Sequence, residues 1–157
     1  MKKIILLSCF FFIGIATFSQ DFAAIFLDAN EEHEADFSVV NITSSMLKMV
    51  SKENVNDEEL MSLMQQVNGI RIVTAEANAR THYNEAKNLL KKQHEELVTI
   101  KKSKRNISIY TKGNKNNVAT EVVMLMLENG KITLVDILGK IDLSQLSNLS
   151  MLVDKIE

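Results

Sequence analysis

Along the first half of the chain the apolar positions recur at helical spacing, and from Glu95 onward they alternate. That change of period predicts a fold in which the strands gather late. Phe22, Ile25, Phe26 and Ala29 mark a helix between Asp21 and Asn30, followed by an acidic loop from Glu31 to Asp36. Phe37 to Ile42 reads as a strand, and Thr43 or Ser44 then caps a helix carrying Met46, Leu47 and Val50. Asn56 and Glu59 are placed as a capping pair for a helix whose stripe is Leu60, Leu63, Met64 and Val67, ended by Asn68-Gly69. Ile70 to Ala75 alternates as a strand. Ala79, Tyr83, Ala86 and Leu90 line the next helix, whose basic last turn (Lys91, Lys92) suits the negative end of the helix dipole.

Four strands follow. Leu97–Lys102 and Arg105–Lys112 surround a turn at Ser103-Lys104, and Val118–Leu127 and Lys131–Leu138 flank Asn129-Gly130, a preferred two-residue hairpin pair. Val122 to Leu127 is apolar on both faces, which predicts a central strand covered on both sides. Asp142 caps a last helix with Gln145 at its third position and Leu146, Leu149, Val153 and Ile156 as its stripe. The predicted class is α+β: a mixed sheet ending in an antiparallel β-meander, with helices packed on it.

The amino terminus has a different character. Lys2 and Lys3 precede an apolar run from Ile4 to Ala16, and Thr17-Phe18-Ser19-Gln20 puts small residues at −3 and −1 of a cut after Ser19. This is the order of a signal peptide over residues 1–19. The run is shorter than the roughly 20 residues a spanning helix needs. Leu6-Leu7-Ser8-Cys9 resembles a lipidation box, but the apolar run continues past Cys9, which disfavours cleavage there. One domain from 20 to 157 is therefore expected, exported to the periplasm or outer membrane, with secretion as an alternative and no later membrane-spanning segment. It would lose Cys9, the single cysteine, and keep 16 basic against 20 acidic residues. A net negative chain argues against nucleic acid as partner.

Segments of this order resemble a known family. Phe37-Ser-Val-Val-Asn-Ile-Thr-Ser-Ser-Met-Leu-Lys, Asn68-Gly-Ile-Arg-Ile-Val, Tyr83-Asn-Glu-Ala-Lys-Asn-Leu-Leu with Glu95-Glu-Leu, and Gly139-Lys-Ile-Asp-Leu-Ser-Gln-Leu are similar to exported Bacteroidetes proteins known as domain of unknown function 4252. The cleavage style suits that phylum. The resemblance implies fold and compartment; it brings no activity, cofactor or catalytic residue.

The chemistry that can be read directly is sparse. No Gly-x-Ser-x-Gly elbow is present. His94-Glu95-Glu96 begins like a zinc-protease helix, but Val98 stands where the second histidine belongs. His82 and Glu85 share a helix face, and a single such pair reads as solvated surface. Glu31 to Asp36, with His33, could attract a cation but lacks the calcium-loop pattern. No cofactor and no metal set is assigned on these grounds.

Two surfaces and one acid remain. Lys91, Lys92, Lys101, Lys102, Lys104 and Arg105 could converge near the Ser103-Lys104 turn and dock an anionic partner. Met46, Met49, Met61, Met64, Met124 and Met126 could line an apolar pocket or make an ordinary core. Asp136, inside an apolar strand, is the one catalytic candidate, since burial would raise its pKa. The leading functional expectation is a non-enzymatic envelope protein that binds another macromolecule. The alternatives are a carrier of an apolar, lipid-like ligand and a carboxylate-based hydrolase.

Overall fold

The computed structural model describes residues 21–54 and 58–145. The elements run α1 (Phe22–Ala29), a 3-10 turn (Glu31–Asp36), β1 (Ser38–Thr43), α2 (Ser44–Asn54), α3 (Glu58–Gln66), β2 (Val67–Ala75), α4 (Ala79–Gln93), β3 (Glu95–Lys102), β4 (Arg105–Lys112), β5 (Val118–Glu128), β6 (Lys131–Asp142) and a short 3-10 turn (Leu143–Gln145). The six strands form one open sheet in the order β1-β2-β6-β5-β4-β3. The class is α+β, and β3 to β6 form the meander. Every pairing among the described residues is antiparallel, so the mixed sheet expected from the sequence is corrected on that point. The reason lies in the long connections. The segment carrying α2 and α3 returns the chain antiparallel to β1, and α4 carries it from β2 to the far edge at β3, where no parallel neighbour is met.

Local chemistry explains most of the boundaries. Asp21 accepts a hydrogen bond from the Ala24 amide at 2.7 Å and so caps α1. Asn129 and Gly130 have φ of 50° and 80°, the left-handed pair that a tight hairpin with the strands' own twist requires. The Val67 expected to end a helix instead opens β2, paired with Gly139 beside a bulge. Gly139 is required there, because a Cβ would overlap the Gln66 carbonyl oxygen. Asp142 caps the short 3-10 turn, accepting from the Ser144 amide at 2.9 Å. The capping pair's Asn56, the stripe of the last helix beyond 145 and the leader with Cys9 lie outside the described residues.

The two faces of the sheet are covered differently. On one, α1 and α4 lay Phe22, Phe26, Tyr83, Ala86 and Leu90 over Val73, Val123, Leu125, Leu134 and Tyr110. On the other, Leu47 of α2 and Met64 of α3 join Val122, Val135, Ile137 and Ile141. The main contacts of α2 and α3 fall on β1, β2 and β6. β5 is buried along most of its length, as its two-sided apolarity requires.

Candidate functional site

Two places in the fold concentrate unusual features: a buried polar cluster beneath α1, and the half of the second sheet face that β3, β4 and β5 supply.

The cluster begins with the first turn of α1, whose amides have no helical partner. Phe22 donates its amide to Glu121 Oε1 at 2.7 Å, and Ala23 donates to Asp136 Oδ2 at 2.8 Å. Both carboxylates are buried and stand on the adjacent strands β5 and β6. His94, which ends α4, places Nε2 2.8 Å from Glu121 Oε2. Arg71 on β2 holds Asp21 at 2.7 Å and also donates to Asn41. Burial pushes Asp136 up to about 8, and the neighbouring Glu121 charge pushes the same way. Burial works to raise Glu121 too, but the hydrogen bonds from His94 and the Phe22 amide hold it below the usual carboxylate range. Among the described residues Asp136 Oδ1 has no donor beside it, which fits a neutral acid that keeps its proton and donates a hydrogen bond toward the Glu121 carboxylate.

So Asp136 has the burial, the raised pKa and the carboxylate neighbour that a general acid needs. Access is a separate matter. Asp136 is only 1 % exposed, beneath α1. Three open depressions, lined around Asn78–Lys104, Glu76–Lys131 and Asn41–Arg71, include none of Glu121, Asp136 or His94. What the cluster does visibly is clamp α1 to the sheet by its positive end.

The second place is assembled by register. Val40 pairs with Ile72, Ile72 with Val135, Val135 with Met124, Met124 with Ile109 and Ile109 with Val98, so one apolar row crosses all six strands. A neighbouring row runs from Met126 through Ile107 to Ile100. α2 and α3 make their main contacts over the first half of this face. At the β3 edge Val98 is 41 % and Ile100 42 % exposed.

The residues singled out from the sequence are redistributed by the fold. Lys101, Lys102 and Lys104 are exposed at the β3–β4 tip, and Arg105 is half-buried against Glu128 at 3.1 Å. Lys91 and Lys92 do not join them. They end α4 where β3 begins, at the opposite end of that strand. The helix end that does border the Ser103-Lys104 turn is the other one, at Asn78 to Thr81. Of the methionines, Met46 and Met49 are exposed, Met61 is half-buried and Met126 buried, while Met64 and Met124 both pack on the second-face core.

His82, read from the sequence as solvated surface, is buried against Phe26 and Phe37. The edge residues Val98 and Ile100 went unremarked in the sequence. The signal was the shared two-residue spacing of Val98/Ile100, Ile107/Ile109 and Met124/Met126, which becomes one face only when the hairpins pair.

The family model described as Domain of unknown function (DUF4252) matches residues 31–149. That is most of the chain, which belongs to this family. No curated protein and no solved structure matches it.

Proposed function

We propose that the chain is a non-enzymatic binding module of the cell envelope that docks a partner protein on the β3–β4–β5 half of its sheet. The observation that carries this reading is the exposure of Val98 and Ile100, which continue two apolar rows to a sheet edge that no further strand pairs among the described residues. Single exposed apolar side chains are ordinary. A contiguous band at an unpaired edge is what sheets normally blunt with charge or cover. Here the charge stands at the strand's end, where Lys101, Lys102 and Lys104 would steer an acidic partner surface. The envelope location rests on the signal-peptide order of residues 1–19. A lipid carrier would draw the methionines around one enclosed space, and the exposure of Met46 and Met49 favours docking instead.

The test is affinity purification of the tagged chain from gently crosslinked native envelopes, reading proteins and lipids by mass spectrometry, beside a Val98→Lys/Ile100→Lys variant. The expected result is one protein at near-stoichiometric yield that the variant loses at least tenfold while its circular dichroism is unchanged. A protein captured equally by both chains, or enriched lipid without a protein, overturns the reading.

A further inference from the structure

The 3-10 turn and α4 meet around His82. Its side chain is 1 % exposed, yet among the described residues neither ring nitrogen has a hydrogen-bond partner. Leaving both nitrogens of a buried imidazole unpaired is costly, and what faces each of them is a carboxylate. Nε2 stands 3.7 Å from Asp36 Oδ2, and Nδ1 stands 3.5 Å from Glu85 Oε2. A second imidazole completes the group: His33 Nδ1 is 3.8 Å from the same Asp36 oxygen, and the two rings lie 5.6 Å apart.

We infer that His33, Asp36 and His82 form a binding site for a zinc-like divalent cation, with Glu85 orienting the buried imidazole from behind. The distances support this. In a tetrahedral zinc site with bonds of about 2.0–2.2 Å, ligand atoms are separated by about 3.4 Å. The 3.7 and 3.8 Å separations here are too long for hydrogen bonds and a few tenths of an ångström from that value. Among the described residues no three such donors already surround a cation position, so binding draws the turn inward. The turn can follow, because His33 is 53 % exposed on a surface segment and has non-helical φ and ψ of −113° and 17°.

The ligand set also has the expected division of labour. A metal-bound histidine ordinarily gives its other N–H to a carboxylate, which fixes the tautomer and raises the basicity of the ligating nitrogen. Glu85 is placed to do this at Nδ1, leaving Nε2 for the ion. Two imidazoles and one carboxylate suit zinc and its neighbours better than calcium or magnesium, which prefer oxygen alone. The fourth position would fall to water. Such an ion would tie the Glu31–Asp36 turn to α4 in a chain whose single cysteine permits no internal disulfide.

The experiment is calorimetric titration of Zn2+ into the chelator-stripped full chain, carried without a polyhistidine tag, beside His33→Ala, Asp36→Asn and Glu85→Gln. These three side chains are exposed or half-buried, and circular dichroism confirms that each variant folds. The expected result is one ion per chain with a micromolar or tighter Kd. His33→Ala and Asp36→Asn each weaken it at least tenfold, and Glu85→Gln weakens it measurably. Co2+ substituted for zinc should give the intense visible bands of a tetrahedral site. Absence of Zn2+ binding, or a loss of less than tenfold in either His33→Ala or Asp36→Asn, overturns the inference.

Discussion

Glu121 and Asp136 stand on adjacent strands beneath the first turn of α1, and each accepts one of its free amides, from Phe22 and Ala23 respectively. The two acids share one helix terminus but divide the charge. Glu121 is held ionised by His94 and the amide, and Asp136 is held neutral by burial beside it.

This division gives stability a defined pH dependence. Asp136 titrates near 8 in the folded chain and near 3.8 when unfolded, so between those values the folded state holds the extra proton and stability falls as pH rises. Glu121, with a lowered pKa, contributes stability that is complete above its ordinary value of 4.5 and is lost as pH falls through its folded pKa. The optimum is therefore expected in mildly acidic solution. Asp136→Asn keeps an acceptor for Ala23 and a donor for Glu121 without the charge. It should flatten the decline between pH 5 and 8 and raise stability at pH 8 by roughly 1–3 kcal/mol, read from urea unfolding at several pH values. An unchanged slope would refute the assignment.

Asp21 caps α1 and also receives Arg71, so its two roles can be separated. Asp21→Asn retains the capping oxygen and loses the ion pair, a partly exposed one for which less than about 1 kcal/mol is expected. Asp21→Ala loses both and should cost about 1–2 kcal/mol. Equal losses from the two variants in denaturant titrations would show that the cap contributes nothing.

Gly139 faces the Gln66 carbonyl at the α3–β2 junction with no room for a side chain. Gly139→Ala must displace backbone and should cost on the order of 1–3 kcal/mol. Gly130→Ala meets no neighbour and acts only through its positive φ. A thermal melt of Gly139→Ala within one degree of the parent would mean that the bulge rearranges freely.

The docking face and the core should respond in opposite ways. Val98→Thr and Ile100→Thr, at exposed positions, should each change stability by no more than about 0.5 kcal/mol. Leu125→Ala, fully buried between the central strands and the α1–α4 layer, should cost roughly 2–5 kcal/mol. A large loss from the edge pair would mean that Val98 and Ile100 serve the fold rather than a surface.

What the sequence settled by itself is local. The α1 and α4 stripes, the Asn129-Gly130 turn and the two-sided apolarity of β5 are each fixed within a few residues, by repeats of three to four or of two and by turn chemistry. The α+β class and the meander follow from those pieces. The boundary at Val67 did not, because α3 and β2 abut with no loop, and pairing with β6 overrides the helical stripe. The sites lay further out of reach. Phe22 and Ala23 meet acids that are 99 and 113 positions away, and His82 meets Asp36 across β1, α2, α3 and β2. Burial of His82, the unequal titration of Glu121 and Asp136, and the apolar face ending at Val98 all depend on strand order and register. Those are long-range choices, made by packing both sheet faces at once, and no short window of sequence contains them.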